Sequence, residues 1–294
     1  MGHSSLKICA TIDEMRSVSR AARRAGKRLG FVPTMGALHE GHLSLARAAR
    51  ASCDVVAASI FVNPTQFGPT EDLAKYPRTF ERDCELFERE GVDLLFAPSV
   101  EEMYPAGAVT WVTVEELSNR LDGLSRPGHF RGVTTVVAKL FHIVEPDAAF
   151  FGQKDAAQVA VIRRMVRDLN LPVEIAVCPI VREPDGLAMS SRNAYLDSQQ
   201  RKHALALHRS LMRVQQLADS GEHNANVLAS AGREDIGREP SVRLDYFEVV
   251  NPETLEAVTN ISNGALVAVA AYVGNTRLID NVVLVATRLV SRRG

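Results

Sequence analysis

The sequence predicts an α/β protein with a doubly wound parallel sheet and a second, smaller α+β domain. Short apolar segments alternate with helix-like segments over the first two thirds of the chain, as they do in parallel α/β units. After Arg182, two long helical patterns precede three strand-like segments, which is typical of an α+β domain. With 294 residues, we expect two domains, formed by residues 1–181 and 182–294.

The spacing of apolar residues defines the elements of the first domain. Residues 54–62 (DVVAASIFV) are almost wholly apolar, which suits a parallel strand that is covered on both faces. Apolar residues at helical spacing predict helices in the charged segments between such strands. We predict strands at residues 29–33, 54–62, 92–97, 148–151 and 172–181, and helices at 43–51, 79–91, 133–144 and 159–169.

The second domain is predicted from the same two periodicities. Residues 198–220 and 224–236 have the Ala and Leu spacing of helices. Strand-like segments follow at residues 244–250, 265–273 and 281–287. No internal repeat or low-complexity tract interrupts this order.

Composition narrows the classes of partner and the compartment. A formal net charge of −1 gives no overall attraction to nucleic acid or to a membrane surface, so we expect neither as a partner. The four cysteines form no CxxC pair, which argues against a zinc ribbon or a disulfide framework. Residues 1–10 lack the apolar run of a signal peptide, and nowhere do about 18 apolar residues follow one another. We expect a cytoplasmic protein.

The segment PTMGALHEGH, residues 33–42, carries the first candidate site. It follows a predicted strand and opens a helix, so its backbone N–H groups and the helix dipole face any anion placed there. His39 and His42 lie on one face of the first turn and could donate hydrogen bonds to a phosphate in the transition state. The alternatives are a surface pair at a helix start and a metal site. A zinc protease is disfavoured, because its H-E-x-x-H motif spaces the histidines four apart.

Two further polar segments suggest phosphate binding. Residues 186–193 (GLAMSSRN) combine two hydroxyls with the Arg192 guanidinium, although a polar interdomain linker with a helix cap would have the same composition. Gly152-Gln153-Lys154-Asp155 follows a strand, where ligands bind in open α/β sheets. Lys154 offers a charge to a phosphate, and Asp155 offers a carboxylate to a hydroxyl or to Mg²⁺. An ordinary strand-to-helix turn capped by Asp155 is equally compatible with this spacing.

Amide side chains form a third group of candidates. Asn63 and Gln66 follow the strand at residues 54–62, and Gln158 follows the Lys154 turn. Amides bind hydroxyls and carboxylates without adding charge, whereas Asn63 before Pro64 is also a normal turn signal. Arg126 and Arg131 lie in a loop where they either bind anions or are solvated.

Five segments together carry a family resemblance. HEGH on its own resembles the HxGH signature of the nucleotidylyltransferase superfamily, and MSSR is similar to the mobile KMSKS-type loop of that superfamily. The whole set is more specific and resembles the pantothenate synthetase family. In chain order from residue 31 to 196, the segments are FVPTMGALHEGH, SIFVNPTQFGPTEDLAKYPRT, RPGHFRGVTTVVAKLF, FFGQKDAAQ and VREPDGLAMSSRNAYL.

The resemblance implies a reaction and an architecture. ATP and (R)-pantoate would form pantoyl adenylate with Mg²⁺ present, and β-alanine would then displace AMP to give pantothenate. Residues 1–181 would form a Rossmann-like domain that binds ATP and pantoate, residues 182–294 a smaller α+β lid, and the protein a homodimer. Two alternatives stay open: an HxGH nucleotidylyltransferase that keeps the nucleotide on its product, and a nucleotide-binding module without catalysis.

The resemblance also assigns residues. His42 would bind the ATP phosphates as the proton donor, with His39 supporting it. Gln66 and Gln158 would bind pantoate, and Gln66 would also lie near β-alanine. Asn63, Tyr76 and Asp83 are weaker candidates, and Gln153 stands where the family commonly has Glu. The residues implied to border ATP are Met35, Gly36, Ala37, Leu38, His39, Glu40, Gly41, His42, Gly152, Gln153, Lys154, Asp155, Val181, Met189, Ser190, Ser191 and Arg192.

Overall fold

A six-stranded parallel sheet forms the first part of the molecule. The structure is a computed structural model that describes residues 5–69 and 71–285. The strand order is β1-β4-β3-β2-β5-β6, and all five pairings are parallel. The strands are β1 (Lys7–Cys9), β2 (Leu29–Thr34), β3 (Val55–Ile60), β4 (Leu94–Phe96), β5 (Ala148–Gly152) and β6 (Glu174–Cys178).

Helices cover this sheet on both faces. They are α1 (Ile12–Arg24), α2 (Glu40–Ser52), α3 (Phe80–Arg89), α4 (Val100–Met103), α5 (Asp122–Ser125), α6 (His129–Val144) and α7 (Ala156–Asp168). Helices α2 and α3 share a core with alternate strand residues such as Val32, Val56 and Phe150. The intervening residues, such as Phe31, point to the opposite face, where α1 and α6 pack against β2 and each other. This arrangement confirms the doubly wound α/β prediction.

The C-terminal part is an antiparallel sheet covered by two helices. Its strands β7 (Val242–Val250), β8 (Ala265–Val273) and β9 (Thr276–Leu284) lie in chain order. Helices α8 (Ser198–Asp219) and α9 (Ala225–Gly237) pack on the sheet through a core of small and branched apolar side chains. The predicted α+β class of this part is therefore confirmed.

The chain divides into two compact units. The first contains the residues up to 153, together with 161–181 and 189–191, and the second contains 154–160, 182–188 and the residues from 192 onward. The predicted domain boundary after residue 181 stays a prediction. Among the described residues, no helix is long and apolar enough to cross a membrane.

Several boundaries differ from the predicted ones. The sequence analysis did not predict β1 or α1, because β1 has only three residues and α1 buries little beyond Met15 and Ser19. The capping box at Thr11, with Glu14 three residues later, was the available signal. Strand β9 begins at Thr276 rather than at 281. Residues 286–287 of that predicted strand lie outside the described part of the chain.

Candidate active site

The sheet topology brings two of the predicted segments to one place. Strands β2 and β5 are neighbours in the sheet, although β3 and β4 lie between them in sequence. Their carboxyl ends therefore meet where the strand order reverses, which is the usual ligand position in open α/β sheets. Residues 35–42 follow β2, and Gly152 ends β5, with Gln153 next in the chain. The two segments thus converge at this edge.

His39 and His42 cap the start of α2. His39 is the residue before the helix, and its Nδ1 accepts a hydrogen bond from the Gly41 backbone N–H at 3.1 Å. His42 Nδ1 accepts from the His39 backbone N–H at 3.3 Å, and the ring centroids lie 4.1 Å apart. Because each Nδ1 accepts a hydrogen bond, the neutral ring carries its proton on Nε2. Both imidazoles therefore offer Nε2–H as a donor at the positive end of a helix.

The histidine pair can cap the helix and bind a phosphate at the same time. Helix capping uses Nδ1 of each ring, whereas donation to an anion would use Nε2. A helix-start pair is therefore compatible with a phosphate-binding pair. Glu40, between the two histidines, forms an ion pair with Arg47 of the same helix.

A buried carboxylate shapes the turn before α2. Asp83, on α3, is fully buried and accepts hydrogen bonds from the backbone N–H groups of Ala37 at 2.8 Å and Leu38 at 2.9 Å. Its Oδ2 also accepts from Thr79 Oγ1 at 3.1 Å. Gly36 has a φ of +83°, and a Cβ there would lie 3.0 Å from Asp83 Oδ2. The turn therefore depends on a glycine at one position and on a carboxylate from another helix.

Met189 lies beside the start of α2 and pairs with Val181. The Met189 backbone N–H donates to the Val181 carbonyl at 3.0 Å, which pairs two of the residues assigned to ATP. A Cβ at Gly41 would lie 2.8 Å from His39 Cε1 and 4.0 Å from Met189 Cβ. Gly41 therefore leaves room for the His39 ring, and this part of the predicted MSSR segment lies next to the histidine pair.

Gln66 is held by its neighbours at the end of β3. Its Nε2 donates to Met35 Sδ at 3.0 Å, and its Oε1 accepts from Asn63 Nδ2 at 3.0 Å. Asn63 is itself buried, and its Oδ1 accepts from the Tyr104 hydroxyl at 2.9 Å. These contacts connect the predicted pantoate residue to Met35 of the first segment. The third weaker candidate, Tyr76, is buried and packs edge-on against Phe67.

The sequence did not reveal a polar cluster of His129, Arg126 and Glu71 that contacts the Gln66 backbone. The Gln66 backbone carbonyl lies 2.8 Å from His129 Nδ1, and Arg126 Nη1 lies 3.1 Å from His129 Nε2. A carbonyl only accepts and a guanidinium only donates, so His129 carries its proton on Nδ1. Burial, together with the charge of Arg126, lowers the pKa of His129 to about 4. Arg126 also forms a two-pronged ion pair with Glu71, at 2.8 and 2.6 Å.

These contacts settle the position of the loop cations. Arg126, which the sequence left as either an anion ligand or a solvated residue, is committed to Glu71 and His129. Arg131 instead stacks over the Trp111 ring, with its Cζ 4.6 Å from the ring centroid. The signal in the sequence was the RPGHFRG segment, residues 126–132, but Glu71, the partner of Arg126, lies 55 residues away.

The second unit contains Lys154, Asp155, Gln158 and Arg192, whereas Ser190 and Ser191 belong to the first unit. Lys154 and Asp155 lie in the 3-10 turn Gln153–Asp155, with Lys154 Nζ 3.8 Å from Asp155 Oδ1. Gln158 follows on α7, and Arg192 lies in the 3-10 helix Ser191–Tyr195. Asn193, the next residue, donates to Glu183 Oε1 at 3.0 Å and to the Ala188 carbonyl at 3.1 Å. This part of the MSSRN segment is thus ordered by side-chain contacts.

The described side chains form no metal-binding cluster of their own. In residues 5–69 and 71–285, no group of three or more His, Cys, Asp or Glu side chains could hold a metal ion. Mg²⁺ often binds through substrate phosphates, water and one or two carboxylates, so it does not need such a cage. The site is compatible with Mg²⁺ that enters with ATP.

Comparison with known proteins assigns the chain to a family. The model of the pantoate-beta-alanine ligase family matches residues 7–283. The chain belongs to the pantoate-beta-alanine ligase family. Pantothenate synthetase of Koribacter versatilis is 64% identical over 281 residues, which cover 96% of this chain and 97% of that protein. The Acidobacterium capsulatum enzyme is also 64% identical, over 95% of this chain and 97% of its own length.

Solved structures agree with this membership. The pantothenate synthetase of Thermus thermophilus has a TM-score of 0.89 and 48% identity, covering 94% of this chain and 98% of its own. The pantoate-beta-alanine ligase of Francisella tularensis, solved in complex with beta-gamma ATP and beta-alanine, has a TM-score of 0.78 and 36% identity. It covers 94% of this chain and 97% of its own. The family thus extends over both compact units.

Proposed function

We propose that this chain condenses (R)-pantoate with β-alanine at the expense of ATP, through a pantoyl-adenylate intermediate. The observation that carries the proposal is the start of α2, where two imidazoles with Nε2–H donors lie beside Met189, whose backbone pairs with Val181. Membership of the pantoate-beta-alanine ligase family supports the same reaction.

The first step activates the acid. A pantoate carboxylate oxygen attacks the α-phosphorus of ATP, the bond to the β-phosphate oxygen breaks, and pyrophosphate leaves. Negative charge builds up on the phosphate oxygens, where His42 Nε2–H donates a hydrogen bond and a proton, and His39 supports the same site. The positive end of α2 adds a fixed favourable field. Mg²⁺ would accompany ATP and neutralise part of the triphosphate charge.

Further cations and backbone groups would complete nucleotide binding. We assign phosphate contacts to Lys154 and Arg192, hydroxyl contacts to Ser190 and Ser191, and the remaining borders of ATP to residues 35–42, 152–155, Val181 and Met189. Lys154 acts as a point charge, whereas Arg192 can bind two phosphate oxygens at once. The common Glu at position 153 is replaced here by Gln, which removes one negative charge near the triphosphate.

The second step forms the amide. The β-alanine amine attacks the acyl carbon of pantoyl adenylate, AMP leaves with the electrons of the broken C–O bond, and the amine loses a proton. Gln66 and Gln158 bind the pantoate hydroxyl groups, and Gln66 also lies at the β-alanine position. An acyl adenylate reacts with water, so we assign residues 182–294 the role of a lid that excludes it.

A homodimer is part of this proposal, as is a cytoplasmic location. The exposed apolar side chains of the first unit include Val109 at 82%, Leu124 at 76% and Trp111 at 43%. Apolar side chains that lie together on a surface favour contact with another protein, and Val109 and Trp111 are two residues apart in the chain. A second copy of this chain would cover them.

Isotope exchange between pyrophosphate and ATP tests the function. Adenylylation is reversible, so exchange should require pantoate and Mg²⁺ and should not require β-alanine. Adding β-alanine should then release one AMP for each pantothenate formed. A stable product that retains AMP would indicate a nucleotidylyltransferase instead. Binding of ATP without any exchange would indicate a module without catalysis, and either result would refute the proposal.

A further inference from the structure

Two adjacent residues of β9 contact the Lys154 turn, which is assigned to the nucleotide, and Arg182, which follows Val181 in the chain. Asp280 and Asn281 are both 3% exposed, and they pair with Val269 and Ala268 of β8 from the middle of β9, an edge strand of the antiparallel sheet. Side chains of successive strand residues point to opposite faces of a sheet, so Asp280 and Asn281 contact different parts of the molecule. Burying a polar side chain costs free energy of folding unless its hydrogen bonds are satisfied.

Asn281 holds the main chain of Lys154. Its Nδ2 donates to the Lys154 carbonyl at 2.9 Å. That carbonyl belongs to the 3-10 turn Gln153–Asp155, from which the Lys154 side chain extends. A lysine ammonium lies at the end of four flexible bonds, so the position of its main chain sets what it can reach.

Asp280 holds the hairpin that leads to the MSSR segment. Its two oxygens accept from Arg182 Nη1 at 2.6 Å and Nη2 at 2.9 Å. Arg182 Nη1 also donates to the Gly186 carbonyl at 3.1 Å, inside the turn that Arg182 and Ala188 close as a β-bridge. Arg182 and Ala188 are the chain neighbours of Val181 and Met189.

The pair is itself internally linked. The Asn281 backbone N–H donates to Asp280 Oδ1 at 2.7 Å, the oxygen that also accepts from Arg182 Nη2. The two contacts therefore share one short piece of a regular strand. A displacement of that piece would move the supports of both nucleotide segments together.

We propose that Asp280 and Asn281 are positioning residues for ATP, which hold the Lys154 turn and the Arg182 hairpin in the geometry that binds the triphosphate. The inference rests on the proposed function, because that function assigns to ATP the Lys154 turn and the two residues that flank the hairpin, Val181 and Met189. Neither residue touches the nucleotide itself. Replacing Asp280 or Asn281 should therefore impair the steps that use ATP and leave the binding of β-alanine unchanged.

The test compares Asn281→Ala with a matched control on the same strand. Thr276→Val removes a buried polar group at the other end of β9, where Thr276 pairs with Val273. In steady-state assays, Asn281→Ala should lower kcat/KM for ATP by about tenfold, a loss that one positioning hydrogen bond can cause. The KM for β-alanine should stay within about twofold, and Thr276→Val should match the wild type.

An isosteric variant guards against a folding defect. Asn281→Asp keeps the side-chain volume but places an oxygen against the Lys154 carbonyl, so its effect on ATP should equal or exceed that of Asn281→Ala. If both Asn281 variants match Thr276→Val, or if they change the ATP and β-alanine constants equally, the positioning role of Asn281 is wrong.

Asp280→Asn tests the second half of the proposal. It should lower kcat/KM for ATP in the same direction, because Arg182 loses its charged partner. A lower melting temperature with an unchanged kcat/KM for ATP would show that Asp280 is only structural. Wild-type protein that lacks pantoate-dependent pyrophosphate exchange would refute the proposed function instead, so the two failures are distinguishable.

Discussion

At the scale of single residues, the candidate site depends on which ring nitrogen carries a proton. His39 and His42 accept backbone hydrogen bonds at Nδ1 and so keep the proton on Nε2. His129 has the opposite tautomer. Its Nδ1 faces a carbonyl, which only accepts a hydrogen bond, and its Nε2 faces a guanidinium, which only donates one, so its proton is on Nδ1. Each histidine is thus fixed in one tautomer by its immediate neighbours, and each can be tested separately.

His42 should be required for adenylylation. We expect His42→Ala to slow pyrophosphate exchange by about 10² to 10³, the usual loss when one preorganised donor is removed. His42→Gln should retain part of the rate, because its amide N–H can reach the place of Nε2. His142→Ala, at an exposed position of α6, serves as the control and should be neutral. Near wild-type exchange in His42→Ala would leave His42 as a helix cap alone.

His129 should make stability depend on pH. Its pKa is about 4 in the folded protein and about 6.5 when unfolded, so between these values only the unfolded state binds the proton. The free energy of unfolding should therefore be highest above pH 6.5 and fall as pH drops toward 4. Part of the ring reaches solvent, so we expect a loss of about 1–3 kcal/mol.

A variant without the titrating ring provides the comparison for this effect. In His129→Asn the amide can still donate to the Gln66 carbonyl but does not titrate between about pH 4 and 7. Urea unfolding at about pH 7, 5.5 and 4.5 should show a shallower decline for His129→Asn than for the wild type. Parallel declines would show that other groups control acid stability.

At the scale of elements, the start of α2 is shaped by a helix that is remote in sequence. Asp83 on α3 accepts hydrogen bonds from two consecutive backbone N–H groups, one at each carboxylate oxygen. The turn between β2 and α2 therefore has a partner more than 40 residues away. Charge-assisted hydrogen bonds of this kind are stronger than neutral ones and fix geometry accordingly.

Asp83→Asn should disturb both stability and rate. The amide presents an NH₂ group to one of the two backbone N–H donors, so one buried donor loses its acceptor, at a cost of about 1–3 kcal/mol. We expect a lower denaturant midpoint and slower pyrophosphate exchange. Glu81→Gln removes a charge from an exposed position of the same helix and should change neither. Equal behaviour of the two variants would mean that Asp83 does not shape the site.

At the scale of the whole molecule, the proposed homodimer can be observed through one side chain. Trp111 is the only tryptophan in the sequence and is partly exposed, close to the more exposed Val109. A second copy that covers this segment would remove both from water. Light scattering should then give twice the chain mass of 32.1 kDa.

Val109→Glu should weaken the dimer. A charge placed in an apolar contact loses its hydration without gaining a partner, so the variant should dissociate at a higher protein concentration than the wild type. On dissociation, Trp111 emission should shift to longer wavelength. Val227→Glu, a substitution at an exposed apolar position of α9, is the matched control. A wild type that is monomeric at all concentrations would refute the dimer.

The sequence alone predicted the fold class correctly and supplied the segments from which the candidate site is proposed. Buried parallel strands such as β3 are continuous apolar segments, and the HEGH, NPTQF and MSSR segments are contiguous in the chain. Such features depend on local composition and spacing, which one chain displays directly. The same approach missed α1, which is amphipathic but mostly polar and exposed, with only Met15 and Ser19 buried.

Only the tertiary structure decided how the candidate residues are supported. Asp83 reaches Ala37, Glu71 reaches Arg126, and Asn281 reaches Lys154, across 46, 55 and 127 residues of chain. None of these pairs has a fixed spacing that a sequence pattern could reveal, because each is formed where separate elements pack. The histidine tautomers follow from the same packing, since a ring proton is placed by its neighbours. The residue types of the candidate site therefore lie in short contiguous segments, whereas long-range contacts set their geometry.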